Sequence, residues 1–140
     1  MFALIFTLDE KKYGIDVENI VSVMPAFDLV KDDSCKLSFI GWRNYQNGRI
    51  PTFDLNYAIN QKYVKHILGV RHIIFNATFA DEKKPIALAI GGVESVSEFS
   101  EQAFSKTSDD TFCTAHNSEY GDVEIINIAS LLKGALFDYE

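Results

Sequence analysis

The residues most apt for chemistry in this chain are three histidines (His66, His72, His116) and two cysteines (Cys35, Cys113). Cys113 and His116 stand in a C-x-x-H spacing. A structural zinc wants four ligands at characteristic intervals, and one pair falls short, so no metal site is expected. A Cys–His nucleophile needs Cys113 held against a base that a third group orients. His72 is the other candidate base, but nothing in the order of residues favours it. The twenty carboxylates make chance pairs inevitable, and no glycosidase-like framework surrounds them. Gly91-Gly92 lacks the G-x-G-x-x-G pattern and a long following helix, so it reads as a turn rather than a phosphate cradle. Asp54 and Asn127 both precede helical patterns, and capping accounts for them better than acid catalysis does. The expectation is a protein without catalytic, metal or cofactor residues. A small β-fold hydrolase using Cys113 with a histidine is the alternative from another class.

Composition narrows the partners. A net charge of −7, with lysine pairs only at Lys11-Lys12 and Lys83-Lys84, argues against a nucleic-acid surface. No run approaches the ~18 apolar residues of a membrane span. Met1 to Leu8 is apolar but has no basic residues before it and no small-residue cleavage site, so it is not expected to be a secretory signal. Two unpatterned cysteines suit a reducing compartment, and a cytoplasmic location is expected. With 47% hydrophobic residues, the 140-residue chain can bury a core without staples.

The elements that would position any site are set by an internal repeat. A shift of 73 residues lays Tyr13 to Val23 on Ile86 to Val96, and Ile50 to Leu55 on Val123 to Ile128. One offset serving two separated segments implies two copies of one unit. Ala3 to Phe6 then meets Ile73 to Asn76 if the first loop of the second copy is a few residues longer. Phe2 to Leu8 and Tyr13 to Val17 read as a hairpin, Asp16 as the cap of a helical turn, and Ile20 to Met24 as a strand ended by Pro25. Ala26 to Lys36 is a polar connection. Ser38 to Tyr45 and Arg49 to Phe53 flank Asn47-Gly48, whose residues tolerate positive φ. Pro51 suggests an edge or a bulge. In the second copy Gly69 to Thr78 pairs with Pro85 to Ile90, and Val93 to Phe99 is a strand. Ser100 to Lys106 holds a helical turn, Thr107 to Asn117 is a connection, and Val123 to Ile126 is the last strand. From Asn127 the residues Ile128, Leu131, Leu132 and Leu136 recur at helical spacing. The fold class is all-β with short helices and a C-terminal helix, built as paired small barrels or two β layers. Most aromatic residues belong in the core, but Val21, Val23 and Met24 on the strand before Pro25 are candidates for an exposed patch.

The same residues resemble the CheW family, the coupling proteins of bacterial chemosensory arrays. The resemblance runs through FTLDEKKYGIDVENIVSV and FIGWRNYQNGRIPTFDL, where Tyr13, Gly14, Ile15, Asp16, Gly41, Asn44, Pro51, Asp54 and Leu55 match the family pattern. It continues more loosely through VRHIIFNATF, ALAIGGVESVSE and VEIINIASLL. It implies a single domain over residues 1–140 with two intertwined, five-stranded, SH3-like barrel subdomains and copies of roughly 1–65 and 66–140. It further implies a scaffold without catalysis, recruited to membrane-associated arrays without inserting in the membrane. Its partners would be the regulatory domain of a CheA-type histidine kinase, a chemoreceptor's cytoplasmic tip and other CheW-like proteins.

Two departures bear on partner choice. Ser22 replaces the family's usual glutamate, and Gln46 its usual arginine. Losing both charges leaves a neutral pair, so the fold should survive while receptor preference changes. This fits a divergent paralogue serving a specialised array, such as one controlling type IV pili and twitching. The expected partner surface combines Val21, Ser22, Val23, Met24 and Gln46 with Val96 of the second copy, bordering the groove between subdomains. Aspartate at position 23 or 24 should then block partner capture without unfolding the chain.

Overall fold

The computed structural model describes residues 1–27, 29–64, 69–79, 81–105 and 110–133. The first half runs β1 (Phe2–Leu8), β2 (Lys11–Asp16), a 3-10 turn (Val17–Asn19), β3 (Ile20–Pro25), β4 (Phe39–Tyr45), β5 (Gly48–Asp54) and α1 (Leu55–Asn60). The second repeats the order with β6 (Arg71–Phe79), β7 (Glu82–Ile90), β8 (Val93–Glu98), a 3-10 turn (Glu101–Ala103), β9 (Phe112–Asn117), β10 (Gly121–Ile126) and α2 (Ile128–Leu131).

Two five-stranded sheets result, in the orders β8-β1-β2-β10-β9 and β3-β6-β7-β5-β4. Exchanging each strand for its repeat partner turns one order into the other. Each sheet is thus a hairpin from one half completed by three strands of the other. The joins are antiparallel at β1–β8 and β3–β6, and parallel at β2–β10 and β5–β7. The second sheet curls until Arg43 of β4 donates to the Pro25 carbonyl of β3 at 2.8 Å. In the first, the Tyr120 hydroxyl donates to Ser95 Oγ on β8 at 2.7 Å.

Alternation within the strands separates three cores. Leu4, Phe6, Tyr13 and Ile15 of the first sheet join Phe53, Ile73, Phe75 and Leu88 of the second in a shared core. The opposite faces line the barrel interiors: Ala3, Ile5, Val123 and Ile125 in the first, Ile50, Ile74 and Ala87 in the second.

The 73-residue offset carries β3 to β8, β4 to β9, β5 to β10 and α1 to α2. It also maps the helix caps: Asp54 accepts from Tyr57 N–H at 3.0 Å, and Asn127 from Ser130 N–H at 3.1 Å. Asp16 caps the first 3-10 turn as expected, accepting from Glu18 N–H at 3.0 Å. The β1 alignment needs a one-residue correction. Ala3 pairs with Asp16 and His72 with Ala89, so Ala3 corresponds to His72 rather than Ile73. The additional residues do not make a longer loop. They add the ladder pairs Thr78–Lys83 and Phe79–Glu82 to the hairpin.

Three further expectations change. Phe112–Asn117 is a strand rather than part of a connection; its mixed polar sequence hid the alternation, although the repeat of β4 marks the place. Of the edge or bulge expected at Pro51, the edge is absent, because β5 lies between β4 and β7, whereas the β4 ladder does shift register opposite Thr52 and Phe53 beside it. The proline is tolerated because the β7 ladder begins only at Thr52. The hairpin turn is Gln46-Asn47, with the left-handed residue at Gln46 (φ 54°), one position earlier than Asn47-Gly48. The helical spacing ending at Leu136 lies partly outside the described residues, of which α2 covers Ile128–Leu131.

The two caps should differ in cost. Asn127→Ala removes one exposed cap bond and should destabilise by about 1 kcal/mol. Asp54 is buried, and its second carboxylate oxygen accepts from Val64 N–H at 2.8 Å. Asp54→Ala should therefore cost clearly more, about 2–3 kcal/mol in urea unfolding. Equal losses at both positions would contradict this.

Candidate partner-binding surface

β3 is an edge strand, bonded only to β6. Its side chains alternate between half-buried and exposed positions. Val23 pairs with Ile73, a shared-core residue, so it sits on that face of the sheet at its rim and is 40% exposed. Val21 occupies a bulge between Ile20 and Ser22 and is 48% exposed. Pro25, the last residue of the strand, is exposed beside them.

Ser22 and Met24 turn the other way. They pair with Ile74 and His72, which face the second barrel's interior. Met24 packs on the Ile50–Ile74–Ala87 cluster, and its sulfur accepts from Arg43 Nη2 at 3.7 Å. Gln46 is exposed in the β4–β5 turn. Val96 is 55% exposed on β8, the edge of the other sheet, at the position equivalent to Val23. Of the six residues anticipated from sequence, Val21 and Val23 share an exposed strip. Ser22 and Met24 back it from within, and Gln46 and Val96 stand on other elements.

The repeat gives the strip a counterpart with different chemistry. Val21, Val23 and Pro25 correspond to Glu94, Val96 and Glu98 on β8. Glu94 occupies the equivalent bulge and accepts hydrogen bonds from Lys12 and Thr7. Lys12 Nζ also donates to Thr7 Oγ1 at 2.8 Å and lies 5.8 Å from the Tyr120 ring centre. The hydrogen bonds from Lys12 and Thr7 hold the Glu94 carboxyl below its ordinary range. One edge is therefore apolar and the other marked by charge.

The residues first suspected of chemistry are dispersed. Cys113 and His116 lie three apart on β9 and so on opposite faces of the strand. Cys113 Sγ lies 3.6 Å from the Ser105 carbonyl, and His116 Nδ1 lies 3.4 Å from Asp122 Oδ1. His72 belongs to the other sheet, and His66 falls outside the described residues. Among the described residues no group of three potential ligands could hold a metal ion, and no helix is long and apolar enough to cross a membrane.

Sequence reasoning passed over Arg43, the largest fully buried side chain among the described residues. Its place was only partly readable: Gly41, Arg43 and Tyr45 alternate along β4, but a bulge after Phe39 shifts that face relative to the start of the strand. A charged residue is also assigned to solvent by default.

No family model and no curated protein matches the sequence. Among solved structures, the chain is similar to the scaffolding protein TtCheW from Thermoanaerobacter tengcongensis, with a TM-score of 0.78. The two are 21% identical over 94% of this chain and 92% of that one. The chain has a CheW-like fold.

Two measurements check this surface. Val23→Asp, on the exposed rim, should shift unfolding free energy by no more than about 0.5 kcal/mol. Met24→Asp, in the half-buried cluster, should cost more than about 2 kcal/mol. Glu94 has a lowered folded pKa, so its share of stability is present above its unfolded value near 4.5 and fades as pH falls through the folded value. Glu94→Gln should therefore be less stable than the parent at neutral pH, and the gap should close on acidification. A gap that widens in acid would reverse the sign.

Proposed function

We propose that the protein is a non-enzymatic adaptor, acting as one unit, that holds a CheA-type histidine kinase beside the cytoplasmic tip of a chemoreceptor. It would work in the cytoplasm, recruited to membrane-associated arrays, and could link other CheW-like proteins laterally. The observation that carries this reading is likeness to a scaffolding protein over nearly the full length of both chains. The β3 edge supplies a physical basis. An open strand rimmed by Val21 and Val23 can add a partner's β surface or cover an apolar helix face.

A second reading, a divergent paralogue with altered receptor binding in a specialised array such as a twitching system, rests on Ser22 and Gln46. These are neutral where the resemblance to the CheW family implies opposite charges, and among the described residues no hydrogen bond joins them. Charge complementarity governs partner choice more than raw affinity, so this pair bears on which receptor is accepted.

Titration calorimetry with a purified kinase regulatory domain and a receptor cytoplasmic fragment tests both readings. The kinase domain should bind, and Val23→Asp should weaken it at least tenfold, about 1.4 kcal/mol, while remaining folded. The double variant Ser22→Glu, Gln46→Arg should gain affinity for a standard chemoreceptor. Full affinity in Val23→Asp would remove β3 from the contact. Failure of any such kinase domain to bind would end the adaptor reading.

A further inference from the structure

The two barrels share a frame but are filled differently. In the first, Phe99 is 2% exposed and packs among Ala3, Ile5, Val123 and Ile125, with Phe104 tilted against it at 6.3 Å. Its counterpart is fixed by the backbone. Phe99 N–H donates to the Met1 carbonyl at 2.7 Å, and Ala26 N–H donates to the Val70 carbonyl at 3.3 Å. Ala26 therefore stands where the first barrel carries its plug. Ala26 also lines an open cavity of about 960 Å³ at the end of the second barrel, walled by Phe27, Leu29, Phe39 and Val70. Such a volume suits a small molecule.

Among the described residues lining the cavity, the charged side chains share one sign: they are Lys31 and Lys36. The loop's Asp32 is taken up by Ser34 N–H at 2.9 Å and Trp42 Nε1 at 3.1 Å. His72 lines the cavity where the first barrel has Ala3. Arg43 stands beside it, donating from Nη1 to His72 Nδ1 at 2.8 Å and to the Pro25 carbonyl. Its guanidinium lies 4.6 Å from the centre of the Phe27 ring. An arginine only donates, so His72 Nδ1 is the acceptor in this contact. Arg43 Nε has no partner, and no carboxylate pairs with this guanidinium among the described residues. Desolvation lowers its pKa. A buried cation without a counter-ion is costly to keep. The equivalent residue in the first barrel, His116, is exposed beside Asp122.

We infer that this cavity binds a small amphipathic carboxylate, its apolar body against Phe27, Leu29, Phe39 and Val70 and its anionic end toward Lys31, Lys36 and the field of Arg43. This goes beyond the adaptor role, which needs no small-molecule site.

Naphthalene-2-carboxylate, its neutral amide and ¹⁵N-labelled full-length protein test the assignment by amide shift titration. The carboxylate should bind saturably, with the largest shifts at Val70 and Ala89, and at least tenfold more tightly than the amide. Ala26→Phe, which puts a ring at a residue lining the cavity, should abolish the titration while the melting temperature shows that the fold is kept. Lys31→Glu with Lys36→Glu should weaken binding at least tenfold. If Ala26→Phe does not fold, the exposed lysine pair decides the matter alone. Absence of saturable shifts, equal affinity for the amide, or undiminished binding in a folded variant would each overturn the inference.

Discussion

Everything in this molecule depends on strand pairing between the halves. The hairpins β1–β2 and β6–β7 each find their remaining sheet partners in the opposite half. Two strands alone are at best marginally stable in water, and the pairings to β8 and β10, or to β3 and β5, make each hairpin the centre of a five-stranded sheet. Neither half can finish a sheet or bury Phe6, Phe53, Ile73 and Leu88 alone, because that core is assembled from both. Folding therefore couples the ends of the chain, and the rigid platform that results leaves β3 and β8 as geometrically equivalent edges.

This dependence also explains what the sequence reveals and what it hides. The 73-residue offset survives because it is enforced where backbone groups need partners: at the caps Asp54 and Asn127, at the bulges of Val21 and Glu94, and at the bonds from Ala26 and Phe99. Those positions are legible as a repeat. Periodicity does not say whether a hairpin pairs within its own copy or across to the other, and the exchange of strands had to come from the family resemblance. The candidate surface was half legible. Val21 and Val23 are apolar on an exposed rim, but the alternation that turns Met24 inward depends on knowing which face of β3 is solvated. Arg43 escaped notice because burial of a charge runs against every default of composition.

Duplication fixed the frame and left the interiors to diverge. The first barrel interior is apolar: Ala3, Ile5, Val123 and Ile125 with Phe99 closing it. The second places His72, Arg43 and Thr52 among Ile50, Ile74 and Ala87, and among the described residues Thr52 Oγ1 has no partner. Both interiors hang from the same hydrogen-bonded scaffold, so the difference lies in side chains rather than in backbone. A polar interior whose cation has no carboxylate partner among the described residues is the less stable solution, which makes it the half whose residues ask for an explanation other than folding.

The edges diverged in the same manner, and physics constrains what the apolar one can be. An open strand with exposed valines invites pairing with any other chain. On β8, Glu94 and Glu98 discourage that contact with charge. On β3 the equivalent positions are Val21 and Pro25, so charge is absent and other devices remain: a six-residue length, the bulge at Val21, and a terminal proline that lacks a donor. These limit how far a second strand can extend along the edge without making it polar. A strip that is short, irregular and still apolar is poorly suited to indiscriminate stacking and well suited to a partner of matching outline. Exposure of Val21 and Val23 is tolerable in the free chain only because the strand around them is so brief.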